Sequence, residues 1–480
     1  MSQPQCTLEM ALKMHFGHNS FRPHQRGALE ALCEGRDVLG ILPTGAGKSL
    51  VYQLAGLIRP GFTVVVTPLL SLSKNQIFNL HRRNIPAQEY NSAVPWAVKC
   101  DTLNRLRRDA GLPFVRPRMP QSDQRELKLL YVTPEGIASG NALSRLLDVL
   151  YRAGRMGLLA IDEAHCISEW GHDFRDAYKQ LNGIRKRWPN VPICATTATA
   201  TLRVAESIVT GLGLQNPHRI NTSFDRPNIE FLSVNCVDHP NYDTCSNRDA
   251  FFYYYSKYQW QGKCGIIYTD SRADTVEVST MLQNHGVRCG YYHAGLKLDE
   301  RNLTQNKWEE AFIDVIVATT AFGMGIDKQD VRFVVMWAIP RTVETYYQMG
   351  GRAGRDGRPS VALTLYSDVF ATWREWQASE ECKNSRKKHG ALSEKYRHKM
   401  VKKESLGTLL SIVGHRIPRC RRATVLEYFG EAKDTKYQSG RCCDICSNES
   451  LVFRGQGGRK HFNFFLYMIG PSWCANSQQC

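Results

Sequence analysis

Short apolar runs bounded by turn residues alternate with helix-length amphipathic segments along the first half of the chain. The runs lie at residues 63–66, 129–132, 158–161 and 191–195. Buried parallel strands form continuous apolar runs and are joined by crossover helices, so this pattern predicts a parallel sheet covered by helices. A second series of the same kind lies at residues 264–269, 315–318, 333–336 and 362–365. The predicted fold class is therefore α/β, with two parallel-sheet lobes.

The two series suggest a division of the 480 residues into domains. Residues 1–220 are predicted to form the first lobe and residues 263–370 the second. Residues 221–262 are interpreted as a linker or insertion that leads into a helix, because the stretch from 235 onward is polar and then aromatic. Residues 371–450 form a further region, and the tail 451–480 matches no interpretable pattern. A chain of this length has room for several domains that each bury a core.

A glycine-rich segment directly follows the apolar run 38–42. It comprises Thr44, Gly45, Ala46, Gly47, Lys48 and Ser49. A strand, a tight loop and a helix start in this order direct backbone N–H groups and the positive end of the helix dipole at one spot, where phosphates bind. Lys48 would reach the β- and γ-phosphates of a nucleotide, and Ser49 would offer its hydroxyl to Mg²⁺. The alternative is an ordinary glycine turn, since Leu42 stands where the general phosphate-loop pattern has a glycine.

Two carboxylates follow the apolar run 158–161. A carboxylate at the end of a parallel strand next to the phosphate strand is well placed for a second Mg²⁺ contact, which makes Asp162 the candidate. Glu163, one residue on, is able to orient or deprotonate an attacking water. The alternative is an acidic turn at the surface. Together with the glycine-rich segment, these residues predict a nucleoside triphosphatase.

The chain is strongly basic, with a formal net charge of +17. Such a charge indicates a polyanionic partner, because Lys and Arg side chains that neutralise phosphates release counterions. Charge alone leaves DNA, RNA and anionic lipid open. No run approaches the roughly 18 apolar residues of a membrane span, and the N-terminus has no signal-peptide pattern, so we expect an intracellular protein. The 16 cysteines are scattered, which favours free thiols and one metal site over a disulfide framework.

A segment with two arginines lies in the second series. Arg352 and Arg355 stand three residues apart in a glycine-rich stretch that begins at Gln348. If the segment is helical, both side chains lie on one face. An arginine supplied by a neighbouring domain stabilises charge on a phosphoryl group in transfer. The alternative is a solvated or phosphate-contacting basic turn.

Taken in order, these motifs resemble those of superfamily-2 helicases. They lie at residues 21–25, 44–49, 67–69, 133–135, 162–165, 197–199, 317–327 and 348–355. Within that superfamily the chain resembles the RecQ family of DNA helicases, chiefly through the sequence Asp-Glu-Ala-His-Cys-Ile-Ser-Glu-Trp-Gly-His-Asp-Phe-Arg at 162–175. Tyr-His-Ala-Gly-Leu at 292–296 and Cys-Arg-Arg at 420–422 add to the resemblance, which covers about residues 16–446.

The resemblance implies two RecA-like lobes with ATP in the cleft, followed by a small helical zinc-binding subdomain at 371–450. It further implies an ATP-dependent 3′-to-5′ DNA helicase that acts in DNA repair, recombination or replication. The implied cofactors are ATP, Mg²⁺ and Zn²⁺, and the implied partner is single-stranded, forked or branched DNA. The location would be the nucleus if the source is a eukaryote and the cytoplasm otherwise.

The resemblance also assigns roles to individual residues. Those at the nucleotide are Arg22 and Gln25 for adenine, Thr44 to Ser49 for the phosphates, Ser49 and Asp162 for Mg²⁺, Glu163 for water, Gln348 and Arg352 facing the nucleotide, and Arg355 as the arginine finger. An aromatic loop that couples DNA contact to ATP hydrolysis is implied at Trp170, His172, Phe174 and Arg175.

The zinc region departs from the family pattern of four separated cysteines. Cys420, Cys443 and Cys446 match three of the four positions. The fourth position lies three residues before Cys443, where Gly440 stands, so Cys442, directly beside Cys443, is the remaining candidate for the fourth ligand. The side chains of adjacent residues tend to point in different directions, which disfavours Cys442 as a ligand beside Cys443. The alternative fourth ligand is a water, a histidine or another residue. The chain ends about thirty residues after Cys446, so we expect a short form that lacks winged-helix and further accessory domains.

Two other functions compete with DNA unwinding. One is a nucleic-acid-stimulated ATPase that translocates or remodels without separating strands, which the expected absence of a winged helix favours. The other is a protein that anneals or holds strands through its basic surface. The complete hydrolysis set of Lys48, Glu163 and Arg355 favours an enzyme over a binding protein.

Overall fold

The computed structural model describes residues 7–43, 45–68, 70–113, 125–137, 140–168, 176–236, 246–323, 326, 328–391, 393–414, 419–431 and 442–447. The described residues up to 224, together with 326, form one compact unit, and the remaining ones form a second. Within these ranges, no helix combines the length and the apolar character needed to cross a bilayer.

The first unit is built on a seven-stranded sheet. Its strands are β1 (Val38–Ile41), β2 (Phe62–Val66), β3 (Ala87–Tyr90), β4 (Leu129–Val132), β5 (Met156–Ile161), β6 (Ile193–Thr197) and β7 (His218–Asn221). The strand order is β3-β4-β2-β5-β6-β1-β7, and all pairings are parallel. Strands β1, β2, β4, β5 and β6 are buried along their whole length, which explains their continuous apolar runs.

Helices connect and cover these strands. They are α1 (Leu8–Phe16), α2 (Pro23–Cys33), α3 (Lys48–Ile58), α4 (Leu70–Arg82), α5 (Trp96–Asp109), α6 (Pro134–Ile137), α7 (Ala142–Arg152), α8 (Asp176–Lys179), α9 (Ile184–Arg187) and α10 (Leu202–Leu212). One face of the sheet packs on α2 and α3, which bury Leu29, Leu32, Tyr52 and Leu54 completely. This packing fixes the start of α3 at the carboxyl end of β1, where the glycine-rich segment lies.

The second unit contains a six-stranded sheet. Its strands are β8 (Ile229–Asn235), β9 (Gly265–Tyr268), β10 (Cys289–Tyr292), β11 (Val315–Ala318), β12 (Phe333–Met336) and β13 (Ser360–Tyr366). The order is β10-β11-β9-β12-β13-β8, again with parallel pairings. A Cβ on Gly265 would lie 2.1 Å from the Phe333 ring, so glycine at that position lets the ring pack over β9. The prediction of two parallel α/β lobes is confirmed.

The described helices of the second unit are α11 (Asn247–Lys257), α12 (Arg272–Asn284), α13 (Leu298–Glu309), α14 (Val343–Gly350), α15 (Asp368–His389), α16 (Glu394–Val413) and α17 (Arg421–Tyr428). The last three form a C-terminal group. Helices α15, α16 and α17 agree with the helical region predicted for 371–450, although α15 begins at Asp368. The tail 451–480 lies outside the described residues.

The range 221–262 differs from its interpretation as a linker or insertion. Within it, β8 pairs with β13 over seven positions, and α11 contributes the buried Phe251 and Tyr254 to the core of the second unit. The aromatic residues that suggested an insertion are packed: Trp260 stacks on Phe333 with ring centroids 4.1 Å apart. The helix expected at the end of this range is α11, whereas the strand β8 was missed.

Candidate nucleotide and metal sites

The glycine-rich segment forms a turn between β1 and α3 in the first unit. Gly45 and Gly47 have φ values of 84° and 83°, which side chains other than glycine rarely adopt. Gly47 is the N-cap of α3, so the helix starts at Lys48 and the N–H groups of its first turn point toward the glycine-rich turn. Such a helix start is a binding site for anions such as phosphate. Thr44 lies outside the described residues.

The segment before α2 packs against this turn. Arg22 Nη1 donates a hydrogen bond to the carbonyl of Gly45, and Gln25 Nε2 donates to the carbonyl of Gly47 at 3.3 Å. His24 Nε2 lies 3.0 Å from the carbonyl oxygen of Ala46. A Cβ on Gly47 would lie 2.4 Å from Gln25 Nε2, so the second glycine permits this approach. The residues predicted to contact adenine thus stand beside the turn and hold its carbonyls.

Lys48 and Ser49 occupy the first turn of α3. Lys48 Nζ donates to the carbonyl of Leu42 at 3.0 Å, which holds the ammonium group over the turn. Ser49 Oγ accepts a hydrogen bond of 3.3 Å from Gln76 Nε2, and Tyr52 donates to Gln76 Oε1 at 2.9 Å. Gln76 of α4 therefore fixes the hydroxyl that the sequence assigns to Mg²⁺.

Asp162 follows β5 and is 3% exposed. Its Oδ1 accepts hydrogen bonds of 3.1 Å from the Thr196 hydroxyl and from the backbone N–H of Glu163. Burial and then the negative charge of Glu163 raise the pKa of Asp162 to about 6, against the opposing effects of Lys48 and Thr196. A cation bound at this carboxylate would favour its charged form. Strand β6 separates β5 from β1, so Asp162 is one strand further from the phosphate turn than the sequence analysis expects.

Glu163 adopts a left-handed backbone conformation, with φ 50° and ψ 45°. This conformation costs a non-glycine residue on the order of 1 kcal/mol, and strained residues of this kind cluster at functional sites. Its Oε2 lies 3.3 Å from Nδ1 of the buried His165. The same nitrogen lies 2.9 Å from the Thr197 hydroxyl at the end of β6. His165 thereby connects the acidic motif to the Thr-Ala-Thr motif.

The first unit thus brings together Lys48, Asp162 and Glu163, three of the predicted catalytic residues. Hydroxyl and carboxylate oxygens are the protein ligands that Mg²⁺ prefers, and Ser49 and Asp162 supply one of each. The predicted aromatic loop at Trp170, His172, Phe174 and Arg175 lies outside the described residues.

The sequence analysis missed four residues that shape this site. They are His24, Gln76, Thr196 and Tyr178, whose hydroxyl donates to the Asp162 carbonyl at 2.9 Å. His24 lies inside a motif that was noticed, but single polar residues such as Gln76 and Tyr178 carry no pattern of their own.

The predicted arginine pair lies in the second unit, beyond the end of a helix. Gln348 is on α14, which ends at Gly350, whereas Arg352 and Arg355 lie in the turns that follow. The two arginines were expected to share one helical face if the segment is helical. That condition is not met, because the helix ends at the glycines before the first arginine. Burial raises the pKa of Tyr268, and the positive charges of Arg352 and Arg355 oppose that effect. Both guanidinium groups therefore lie near this buried tyrosine.

Four cysteines converge in the C-terminal part of the second unit. The sulfur atoms of Cys420, Cys442, Cys443 and Cys446 all lie within 4.8 Å of one another. The Sγ–Sγ separations are 3.6 Å for Cys420–Cys442, 3.9 Å for Cys420–Cys443 and 3.5 Å for Cys443–Cys446. Tetrahedral zinc with Zn–S bonds of roughly 2.3 Å needs sulfurs about 3.8 Å apart, so this set fits the metal.

Cys442 joins this cluster, although its side chain was expected to diverge from that of Cys443. The backbone explains the difference: Phe231 of β8 donates its N–H to the Cys442 carbonyl and accepts one from Asp444, each at 3.3 Å. Hydrogen bonds from Cys442 and then Cys443 lower the pKa of Cys420, and the hydrogen bond with Cys420 raises the pKa of Cys442 in turn. A thiolate is the form of cysteine that binds zinc.

Comparisons with known proteins show which families the chain resembles. Residues 22–208 match the DEAD/DEAH box helicase family, residues 251–357 match the helicase conserved C-terminal domain, and residues 377–447 match the RecQ zinc-binding family. Among solved structures, that of S. cerevisiae Dbp5 bound to RNA and ADP BeF3 is similar in fold. Its TM-score is 0.56 at 16% identity, over 88% of this chain and 92% of that one.

Curated relatives extend the similarity along nearly the whole chain. The Arabidopsis thaliana ATP-dependent DNA helicase Q-like 4B is 36% identical over 452 residues, which are 93% of this chain and 37% of the relative. The chain thus spans little more than a third of that relative's length. The ATP-dependent DNA helicase RecQ of Haemophilus influenzae is 34% identical over 465 residues, which are 97% of this chain and 67% of the relative. Two α/β lobes, a zinc-type cysteine cluster and this coverage together place the chain in the RecQ helicase family.

Proposed function

We propose that the chain is an ATP-dependent DNA helicase with 3′-to-5′ polarity. This proposal rests on one observation. In the first unit, a helix start of the phosphate-binding type lies together with Lys48, Asp162 and Glu163. In this proposal Lys48 binds the β- and γ-phosphates, Ser49 and Asp162 hold Mg²⁺, and Glu163 orients the attacking water. Arg22 and Gln25 support the adenine side of the turn. Gln348, Arg352 and Arg355 of the second unit act on the phosphates.

Mg²⁺ would supply charge neutralisation at the phosphates when bound. The remaining steps belong to the chain itself. His165 Nδ1 lies 3.3 Å from Glu163 Oε2 and holds that carboxylate in place. The Glu163 carboxylate would then be positioned to accept a proton from the attacking water. Thr196 and the N–H of Glu163 orient the Asp162 carboxylate. The net charge of +17 supports a polyanionic partner, and the membership of the RecQ helicase family favours DNA as that partner.

An unwinding experiment tests this proposal. Duplexes with a single-stranded tail at the 3′ or the 5′ end are incubated with the protein and ATP, with a non-hydrolysable ATP analogue, or without nucleotide. A 3′-to-5′ helicase separates only the duplex with the 3′ tail, and only with ATP. Hydrolysis stimulated by DNA but without strand separation would favour a translocase. Annealing independent of ATP would favour a strand-binding protein. The variant Glu163→Gln serves as the control for contaminating helicases.

We also propose that Cys420, Cys442, Cys443 and Cys446 bind one Zn²⁺. Metal binding would stabilise this region, because a metal site contributes folding free energy directly. Two further parts of the proposal rest on the family alone. They are a location in a nucleus or a bacterial cytoplasm, and a role in DNA repair.

Zinc content is expected to depend on Cys442 as much as on Cys446. Elemental analysis of the purified protein should find about one zinc per chain. Cys442→Ser and Cys446→Ser should each lower that content severalfold and make the region from Cys382 onward sensitive to protease. Cys33→Ser, which changes an exposed thiol in the first unit, should do neither. A zinc-free wild-type protein would contradict the site, and full zinc content in Cys442→Ser would exclude that residue as a ligand.

A further inference from the structure

Residues 225–229, here named the bracket segment, lie between the arginine turn and helix α17 in the second unit. The segment ends at Ile229, the first residue of β8, and was assigned to the linker from sequence. Here the arginine turn means residues 351–358, which include Arg352 and Arg355.

Arg226 of the bracket segment holds the arginine turn through its backbone. Its Nη1 donates to the carbonyl of Gly351 at 2.9 Å, and its Nη2 donates to the carbonyls of Ala353 and Gly354 at 2.9 Å and 3.1 Å. A guanidinium group is suited to this task because its donors form a rigid, planar fork. All three acceptors are backbone atoms, so Arg226 fixes the course of the chain on either side of Arg352.

Asn228 holds the far side of the same turn. Its Nδ2 donates to the carbonyls of Gly354 and Arg358 at 2.8 Å and 3.0 Å. Gly354 has a φ of 57°, and a Cβ there would lie 2.3 Å from Asn228 Nδ2. The backbone that flanks Arg355 is therefore held on both sides by the bracket segment.

Helix α17 holds the bracket segment from the other direction. Arg422 Nη2 donates to the carbonyl of Ile229 at 2.7 Å and to that of Pro227 at 3.4 Å. Its Nε lies 3.6 Å from Asp225 Oδ1, and both side chains are less than a tenth exposed. A buried arginine that bonds the backbone of another segment restricts how far that segment is able to move.

We propose that Arg226 is a positioning residue that sets the geometry of Arg352 and Arg355, and that Arg422 anchors it from helix α17. This inference rests on the proposed function, in which the two arginines act on the phosphates. Arg226 itself touches no reacting atom. Loss of its three hydrogen bonds would leave the arginine turn free to shift, and a misplacement of about 1 Å lowers the rate of a positioned reaction by on the order of 10²-fold.

Steady-state ATP hydrolysis at saturating single-stranded DNA gives the first test. Arg226→Ala should lower kcat by on the order of 10- to 10²-fold, while the affinity for a fluorescent ATP analogue stays within about twofold. Arg226→Lys, which keeps the charge and lacks the fork, should fall between the alanine variant and the wild type, and it replaces the alanine variant if that protein does not fold. Arg248→Ala, which changes an arginine 57% exposed on α11, is the matched control.

A double-mutant cycle separates positioning from a general structural role. If Arg226 acts through Arg355, adding Arg226→Ala to Arg355→Ala should lower kcat by less than about threefold further. An additional loss equal to that in the single variant, both on Arg355→Ala and on Arg352→Ala, would overturn the inference, as would wild-type kcat in Arg226→Ala.

A readout without catalysis keeps this inference distinct from the proposed function. Trypsin cleaves after arginine unless proline follows, so the arginine turn offers Arg352 and Arg355, whereas Arg358 precedes Pro359. Cleavage at these two sites should be about tenfold faster in Arg226→Ala and in Arg422→Lys than in the wild type, because the turn opens locally more often. Unchanged cleavage in both variants would overturn the inference even if ATP hydrolysis is present. Faster cleavage in these variants, together with a wild-type protein that does not hydrolyse ATP, would contradict only the proposed function.

Discussion

Replacing Lys48 with alanine is expected to abolish ATP turnover, with a loss on the order of 10²- to 10³-fold or more. This is the range found when one preorganised electrostatic contact to a transition state is removed. Lys48 supplies a full positive charge at the helix start where the phosphates bind. The neighbouring backbone N–H groups remain in the variant, but they carry only partial charges.

The fold of the Lys48→Ala variant should persist. Lys48 Nζ donates a 3.0 Å hydrogen bond to the carbonyl of Leu42, and a bond of this kind contributes about 1 kcal/mol to the free energy of unfolding. Circular dichroism and the melting temperature check this point, alongside a coupled assay of ATP hydrolysis. Lys13→Ala on the exposed side of α1 is the matched control. Turnover near the wild-type rate in Lys48→Ala would mean that the nucleotide site is assigned wrongly.

The sequence predicted the interior of both sheets and missed their edges. Nine strands were anticipated from apolar runs, and they include all the central ones. The four that were missed, β3, β7, β8 and β10, are the outer strands of the two sheets. An outer strand has a neighbour on one side only, so it is not required to be apolar on both faces. Strands β3 and β7 accordingly consist of Ala-Gln-Glu-Tyr and His-Arg-Ile-Asn.

The local geometry of the candidate site was predictable from sequence where a single motif determines it. The glycine-rich turn and the start of α3 are local, so Lys48 and Ser49 were placed by their neighbours in the chain. Contacts between motifs were not predictable in this way. Gln76 reaches Ser49 from 27 residues away, and Thr196 reaches Asp162 from 34 residues away. Those contacts depend on strand order, and the order β5-β6-β1 is a tertiary feature.

The cysteine cluster shows the same limit. The spacing of Cys443 and Cys446 indicates a metal turn by itself. The position of Cys442 depends on Phe231, more than two hundred residues earlier in the chain, whose backbone bonds the Cys442 carbonyl. A rule about adjacent cysteines holds for an isolated turn, and here pairing with β8 changes the direction of the backbone.

The structure also suggests why the arginine turn needs support from outside. A helix would fix Arg352 and Arg355 through its own hydrogen bonds, but α14 ends at Gly350. The turn that follows contains three glycines, at positions 351, 354 and 357, which restrict the backbone little. Hydrogen bonds from Arg226 and Asn228 to its carbonyls supply the restriction instead. A glycine-rich turn held by side chains is able to change shape when those side chains move.

Replacing Arg355 with alanine is expected to lower ATP turnover by on the order of 10³-fold and to leave nucleotide binding intact. An arginine finger acts on charge that develops in the transition state, so its removal affects kcat far more than ground-state affinity. This is the opposite of a residue that binds substrate and transition state equally, whose loss would raise KM and leave kcat unchanged.

The measurement pairs kcat for ATP with the dissociation constant of a fluorescent nucleotide analogue, both at saturating single-stranded DNA. Arg358→Ala is the matched control, because that side chain lies three residues further along the same turn and is 81% exposed. It should retain both kcat and affinity within about twofold, since surface substitutions away from a site have small effects. Arg355→Lys should recover little activity, because the planar fork of arginine contacts phosphoryl oxygens in a way that an ammonium group does not. If Arg355→Ala lost nucleotide affinity and kept its kcat, Arg355 would be a residue of ground-state nucleotide binding. It would then not be the arginine finger.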